Sequence, residues 1–254
     1  MQLPIDIGNS RLKWATVVSG AIAVRGAVAH GGTNIGDALA HEWHALPPVR
    51  QIHVASVAPL AFDTEIEICA RSRFGIDADF VRSPAEALGI RNAYPEPRRL
   101  GVDRFLGLAA IHASAARAQV LVGVGTAMTL DAIDADGAHL GGWILPAPAL
   151  MRESVLARTA RVGVSDGRLV EFADNTADGL YSGSLHAARG AVERFVANTA
   201  RELGTWPAVV LTGGGAEEIA PLLPGAEQRA DLVIEGLALW ALAAEVPDFA
   251  RADR

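Results

Sequence analysis

A turn near the start of the chain combines the residue types that bind a phosphate group. Asp6 ends a strand-like apolar run and Gly8 follows it, so that backbone N–H groups there can approach a ligand closely. Asp6 can hold Mg²⁺ through water, because Mg²⁺ keeps several waters and takes few carboxylates. Lys13, the single lysine of the chain, lies on the next strand, within reach of a phosphate tail. A tight hairpin with an incidental aspartate is the alternative interpretation of this turn.

Two further glycine-rich turns occur in the second half of the chain. Residues 123–127 read G-V-G-T-A, but Met128 stands where a dinucleotide-binding fingerprint needs its third glycine, and the chain continues as a strand rather than a helix. No Walker A sequence occurs anywhere. Thr126 matches Asn9 of the first turn and suits the other side of a polyphosphate. The third turn, residues 211–217, places three glycines between a strand and a helix; it predicts either an open surface for a ring or a phosphate, or only a flexible turn.

A fourth segment, residues 101–104, pairs a carboxylate with an arginine at the start of a predicted helix. The guanidinium of Arg104 can bind a carboxylate through two parallel hydrogen bonds. Asp103 has two interpretations. It can stabilise the helix N-terminus, or it can orient an attacking hydroxyl and accept its proton, as carboxylates do in phosphoryl transfer.

These turns lie in two stretches that repeat one pattern. In each stretch, a glycine and a short hydroxyl or amide residue join the first two of three strands, and helical patterns follow. The duplication predicts two α/β domains, residues 1–117 and 118–254, with nucleotide in the cleft between them. Two unrelated units that look alike by chance are the alternative. The predicted strands are residues 2–7, 11–18 and 21–29 in the first stretch and residues 120–124, 128–133 and 139–145 in the second.

Helices are predicted where apolar residues recur with helical spacing. The third helix closes the first half of the chain, which places the boundary near residue 117, and the last helix falls in the second predicted domain. The predicted helices are residues 34–46, 61–74, 101–118, 147–158, 176–203 and 234–246.

Composition limits the class of protein. The net charge of −7 argues against broad nucleic-acid binding, which needs clustered Lys and Arg. No apolar run of about 18 residues is present, so we expect no membrane span. The single cysteine, Cys69, excludes an internal disulfide. Residues 1–8 do not read as a secretory signal, and we expect a cytoplasmic protein.

Together the segments resemble the type III pantothenate kinases, a family also called Bvg accessory factor-like. Each motif alone is weak, but their order and spacing over nearly the whole chain are specific. The motifs are D-I-G-N-S-R-L-K, Y-P-E-P-R-R-L-G-V-D-R, G-T-A-M-T-L-D, G-G-W-I-L-P, D-N-T-A-D-G, L-T-G-G-G-A-E and I-E-G-L-A.

The resemblance implies a duplicated actin-like (ribonuclease H-like) fold, a homodimer, and ATP- and Mg²⁺-dependent phosphorylation of pantothenate to 4'-phosphopantothenate, the first step of coenzyme A biosynthesis. It implies that Asp103 is the proton acceptor. The residues that it implies for pantothenate are Tyr94, Gly101, Val102, Asp103, Arg104 and Thr176. Those that it implies for ATP are Asp6, Ile7, Gly8, Asn9, Ser10, Arg11, Leu12, Lys13 and Thr126.

Two departures from the family pattern stand out. Pro146-Ala147 replaces the common P-G pair, and Gly123 stands where members that bind K⁺ or NH₄⁺ usually carry an aspartate. We therefore expect monovalent-cation dependence to be lost or markedly weakened. Two other hypotheses remain: an actin-like kinase for another hydroxy acid or a sugar, and a non-catalytic ATP-binding regulator. Asp103 beside Arg104 argues against the regulator, which needs no base next to an anion-binding group.

Overall fold

The computed structural model describes residues 1–8, 11–29, 35–159 and 166–245, which form two compact units. The first unit contains Met1–Ser114 and the segment that begins at Leu232; the second is Ala115–Asp231. Asn9 and Ser10 of the predicted ATP turn lie outside the described residues, as do Asn34 and Val246 at the ends of two predicted helices.

A five-stranded sheet forms the centre of the first unit. Its strands are β1 (Gln2–Ile7), β2 (Arg11–Val18), β3 (Ala21–Ala29), β4 (Gln51–Ser56) and β5 (Ala78–Phe80). The spatial order is β3-β2-β1-β4-β5: β2 pairs antiparallel with β1 and β3, whereas β4 pairs parallel with β1 and β5. The predicted bounds of the first three strands are confirmed. The antiparallel register places Asp6 opposite Lys13, so both side chains lie on one face of the sheet.

Helices cover both faces of this sheet. Leu3, Ile5 and Ile7 point to one face and pack against α1 (Ile35–Trp43) and α2 (Leu60–Phe74). Helix α3 (Val102–Ser114) packs on the other face, where it contacts β4. Because successive side chains of a strand point to opposite faces, burial on both faces explains why β1 is almost uniformly apolar.

Between β5 and α3 the chain has little regular structure. Two strands of two residues each, β6 (Glu86–Ala87) and β7 (Ile90–Arg91), form a hairpin, and one 3₁₀ turn follows at Pro97–Arg99. The segment ends at the first residue of α3 and contains Tyr94 and Gly101.

The second unit repeats the arrangement of the first sheet. Its strands are β8 (Gln119–Val124), β9 (Ala127–Ile133), β10 (His139–Pro146), β11 (Ala208–Thr212) and β12 (Glu227–Gln228). Their order is β10-β9-β8-β11-β12, again with antiparallel pairing on one side of the first strand and parallel pairing on the other. The predicted repeat is confirmed, and each of its strands lies within one residue of its predicted bounds.

In the described part of the second unit, three helices accompany this sheet. They are α4 (Pro148–Leu156), α5 (Thr176–Leu203) and α6 (Ala216–Ile219), and a 3₁₀ turn (Ala220–Leu222) follows α6. Buried side chains of α5, including Leu185 and Val192, pack against the valines of β8. Among the described residues, no helix is both long and apolar enough to cross a bilayer.

The last helix, α7 (Leu232–Ala244), returns to the first unit. It packs against α3 and contacts β1, β2 and β4, which differs from its predicted assignment to residues 118–254. The physical reason is that α7 is apolar on nearly every side, with Glu235 as its one charged residue, and the face of the first sheet beside α3 needs a cover. The division at residue 117 is otherwise still a prediction.

The contact of α7 with α3 depends on a glycine. A Cβ atom at Gly236 would lie 2.3 Å from the backbone oxygen of Leu106, so this substitution must move one helix away from the other. On α5, a Cβ at exposed Gly190 would meet nothing within 4 Å.

We predict that Gly236→Ala lowers the free energy of unfolding by about 1–3 kcal/mol, as overpacked cores do. The matched variant Gly190→Ala should raise it by about 0.5–1 kcal/mol, because alanine favours an open helical position over glycine. Denaturant titrations followed by circular dichroism measure both changes. A Gly236→Ala protein as stable as its parent would show that the two helices are not in close contact.

Candidate active site

The structure divides the predicted site residues between the two units. The turn that begins at Asp6, the residue Tyr94 and residues 101–104 belong to the first unit, whereas Thr126 and Thr176 belong to the second. Each group has its own local geometry.

The turn after β1 is open around its glycine. The N–H of Gly8 donates to the carbonyl of Arg11 at 3.1 Å and closes the turn. A Cβ atom at Gly8 would lie 3.6 Å from the same carbonyl oxygen, an ordinary contact. Among the described residues, no neighbour requires glycine at position 8, and an open glycine permits a ligand to approach the backbone closely.

The two glycine-rich turns of the second unit lie against each other. The N–H of Gly215 donates to the carbonyl of Val124 at 3.0 Å. Gly213 has a φ of 93°, and a Cβ atom there would lie 2.4 Å from the same Val124 oxygen. A Cβ at Gly214 would meet no atom within 4 Å. The loop therefore packs tightly on the end of β8 through two glycines, while the middle glycine faces open space next to the turn that contains Thr126.

At the start of α3 the carboxylate of Asp103 folds back over a glycine. Its Oδ1 atom accepts the backbone N–H of Arg104 at 2.8 Å. A Cβ at Gly101 would lie 2.6 Å from that oxygen, so glycine leaves the space in which the carboxylate sits. The preceding residue, Leu100, is fixed through its carbonyl, which accepts the Ser83 hydroxyl at 2.8 Å.

The arginine beside this carboxylate is buried against a tyrosine. Only 7% of Arg104 is exposed, its Nη1 donates to the Tyr94 hydroxyl at 3.2 Å, and its guanidinium carbon lies 5.8 Å from the centre of the tyrosine ring. A buried guanidinium on an aromatic ring is held in one orientation, since both the hydrogen bond and the cation–π contact depend on the position of the ring.

The start of α5 is fixed by an aspartate. Asn175 caps the helix by accepting the N–H of Asp178 at 2.9 Å, which makes Thr176 its first residue. Hydrogen bonds from the Asn175 side chain and from the backbone N–H of Arg168 hold the pKa of Asp178 below its ordinary value. Arg168 is thereby attached to the helix start, and a Cβ at Gly167 would lie 2.4 Å from the backbone oxygen of Ala177. The exposed Thr176 therefore lies on a rigid helix terminus.

Position 123 is filled from the opposite strand. Gly123 pairs with Thr129, and a Cβ at position 123 would lie 2.8 Å from the Thr129 hydroxyl oxygen. An aspartate could be accommodated only if that hydroxyl moved. The Thr129 hydroxyl thus lies where the first atoms of an aspartate side chain at position 123 would be.

Several residues of the site were not recognised from the sequence. Ser83 and Asn92 fix the segment before α3 through hydrogen bonds from their side chains to backbone carbonyls, and no spacing pattern in the sequence indicates such bonds. In the described part of the chain, no three His, Cys, Asp or Glu side chains form a group that could hold a metal ion by themselves.

Comparison with known families gives one consistent result. The family model described as "Type III pantothenate kinase" matches residues 2–198. The chain is 44% identical over 243 residues to the type III pantothenate kinase of Xanthomonas oryzae pv. oryzae (strain PXO99A), covering 95% of this chain and 98% of that protein. It is 41% identical over 237 residues to that of Stenotrophomonas maltophilia (strain K279a), covering 93% and 96% of the two chains.

Comparison with solved structures shows the fold. A putative Baf family transcriptional activator from Campylobacter jejuni superposes with a TM-score of 0.62 at 19% identity, over 96% of this chain and all of that one. MreB5 of Spiroplasma citri, an actin-like protein, superposes with a TM-score of 0.51 at 10% identity, over 96% and 97% of the chains. The predicted actin-like fold is confirmed.

Proposed function

The chain belongs to the type III pantothenate kinase family, whose members phosphorylate pantothenate in coenzyme A biosynthesis, and we propose that Asp103 accepts the proton of the attacking hydroxyl. The protein is therefore an enzyme, and the hypothesis of a non-catalytic regulator is not needed. The observation that supports the role of Asp103 is its placement: the carboxylate is held over Gly101 in the first turn of α3, beside a buried arginine.

The reaction requires one proton transfer and one exchange of bonds at phosphorus. The pantothenate hydroxyl oxygen attacks the γ-phosphorus of ATP, its proton passes to the Asp103 carboxylate, and the bond from the γ-phosphorus to the β,γ-bridging oxygen breaks, releasing ADP. Phosphoryl transfer depends mainly on positioning and on charge stabilisation. The N–H of Arg104 holds one carboxylate oxygen of Asp103, and this contact fixes the orientation of the base.

We propose that pantothenate is bound by Tyr94, residues 101–104 and Thr176. Arg104 offers a planar guanidinium that suits a carboxylate, and its contact with Tyr94 fixes the direction in which it points. Gly101 leaves the space in which the Asp103 carboxylate sits, and Thr176 supplies a hydroxyl at a fixed helix start.

We propose that ATP is bound by residues 6–13 and Thr126. The turn after β1 offers backbone N–H groups, and Lys13 offers a positive charge directly across the sheet from Asp6. A single carboxylate at Asp6 fits Mg²⁺, which in kinases takes one or two carboxylates together with substrate phosphates. The metal would neutralise phosphate charge as the γ-phosphoryl group is transferred. ATP consumption also fits the cytoplasmic location that we expect.

A monovalent cation does not fit the residues at position 123. Glycine supplies no side-chain oxygen, and the Thr129 hydroxyl already fills the space beside it. Removal of a formal negative charge weakens the attraction for K⁺ or NH₄⁺. We propose that this enzyme has lost most of the cation dependence of its relatives.

We also propose a homodimer. The apolar helix α7 is not available for the dimer contact, because seven of its residues are buried within the first unit. The second unit offers a different surface: β10 is an edge strand of its sheet, and it exposes 64% of Ile144 and 38% of Trp143.

We predict that Asp103→Asn lowers kcat by about 10²–10⁴-fold, the usual contribution of a general base, while ATP still binds. Gly101→Ala should also lower kcat, although the carboxylate remains, because the new methyl group would lie only 2.6 Å from Asp103 Oδ1 and displace it. Steady-state ADP release at saturating substrates measures kcat, and calorimetric titration measures ATP binding.

Asp37→Asn is the matched control, since Asp37 is an exposed aspartate in the first turn of another helix, α1. This variant should keep the activity of the parent. If Asp103→Asn retained more than about a third of the parent kcat, the assignment of the base would be wrong.

For the cation, we predict that potassium or ammonium ions activate the enzyme only slightly, because position 123 lacks a ligand. In the experiment, the chloride salt of a large inert cation is exchanged for potassium or ammonium chloride at fixed ionic strength. The rate of ADP release is measured against the concentration of each salt. A steep, saturable activation by K⁺ from a baseline near zero would refute this and would mean that other oxygens form the ion site.

For the assembly, we predict a mass of twice 26.5 kDa by light scattering at micromolar concentration. Ile144→Lys on the exposed edge strand should shift the mass toward the monomer, because burying an unpaired charge is unfavourable. A parent protein that is monomeric under these conditions would exclude the dimer.

A further inference from the structure

The side chain of Asn92 connects three parts of the loop that carries Tyr94. Between the β6–β7 hairpin and α3 the chain has only a single 3₁₀ turn. The side chain of Asn92 makes three hydrogen bonds here: its Nδ2 donates to the carbonyls of Pro84 and Pro97, each at 3.1 Å, and its Oδ1 accepts the N–H of Tyr94 at 3.0 Å. Its backbone N–H donates to the carbonyl of Ala85 at 2.9 Å.

These bonds use both functional ends of the carboxamide. The two amide hydrogens connect the segment before the hairpin to the 3₁₀ turn that leads into α3, and the amide oxygen fixes Tyr94 between them. An aspartate has the same shape but no donor, so it cannot satisfy the two carbonyls. A serine or alanine is too short to reach both. The geometry therefore requires asparagine specifically.

We propose that Asn92 is a positioning residue for the acid site and that it acts through Tyr94 on Arg104. The chain of contacts is continuous: Asn92 holds the Tyr94 backbone, and the Tyr94 hydroxyl and ring hold the buried Arg104 guanidinium. If the loop shifts, the ring moves and the arginine loses its fixed direction. This inference rests on the proposed role of Arg104 in binding pantothenate.

The first test is Asn92→Asp, which keeps the acceptor for Tyr94 but places an oxygen against two carbonyls. The loss of these two hydrogen bonds should loosen the loop and raise the KM for pantothenate by about 10-fold or more. The KM for ATP should change by less than about twofold, since the ATP turns lie elsewhere in the chain. Asn92→Ala should also raise the KM for pantothenate.

Asp134→Ala is the matched control. The Oδ1 of Asp134 likewise fixes a turn, by accepting the N–H groups of Asp136 and Ala138 at 2.9 and 2.8 Å. This turn lies at the end of β9 away from Thr126. Asp134→Ala should leave both KM values unchanged. The proposal would be overturned if Asn92→Asp raised the KM for pantothenate and the KM for ATP equally, or if Asp134→Ala did so. Either result would mean that loosening any turn weakens substrate binding.

A double-mutant cycle tests the route through the tyrosine. In a Tyr94→Phe background, which removes the hydroxyl that Arg104 binds, Asn92→Asp should raise the KM for pantothenate by less than half the factor seen in the parent. Effects that multiply independently would show that Asn92 does not act through Tyr94. If Asp103→Asn abolishes transfer but Asn92→Asp leaves the KM for pantothenate unchanged, the role of Asn92 is refuted and the proposed active site is not. If Asp103→Asn remains active, the proposed active site itself is refuted.

Discussion

Parallel pairing beside the first strand of each sheet is the constraint on which the rest of the structure depends. Because β1 pairs in parallel with β4, and β8 with β11, the carboxyl ends of these strands meet at one edge of each sheet. Open α/β sheets bind ligands at that edge. The turn after Asp6, the turn that contains Thr126 and the glycine loop after β11 all begin there. Their positions therefore follow from strand direction before any side chain is considered.

Glycines then decide how closely the elements at these edges approach. Gly213 and Gly215 let one loop lie on the carbonyl of Val124, and Gly236 lets α7 lie on α3. Gly101 has a different role, because the space that its missing Cβ leaves is filled by the carboxylate of Asp103. The first three positions serve close packing between elements, whereas the last leaves room for a carboxylate.

The sequence predicted local features well, and the reason is physical. The strands and turns of the repeat follow from alternation of apolar residues and from turn residues, which act over a few neighbours. The position of α7 depends on which sheet face lacks a covering helix. Because α7 follows the second repeat in the chain, the sequence assigned it to the second domain, whereas it packs on the first unit. The bonds of Asn92, and the buried pair of Asp131 with His139 at 2.9 Å, depend on partners that only the folded chain brings together. The proposed roles of Tyr94 and Thr176 come from the family resemblance alone, because no spacing rule indicates them.

Duplication of the sheet did not preserve its chemistry. By register, Asp6 and Lys13 of the first sheet correspond to Gly123 and Thr129 of the second. The first pair places opposite charges across two strands; the second places a hydroxyl into the space of a missing side chain. The second turn is also shorter: three residues, 125–127, separate Val124 from Met128, whereas four, 8–11, separate Ile7 from Leu12. A charged, longer turn suits a metal and phosphates, and a neutral, shorter turn with an adjacent open glycine suits hydroxyl and backbone contacts. The two copies thus keep the same scaffold but carry different side chains at corresponding positions.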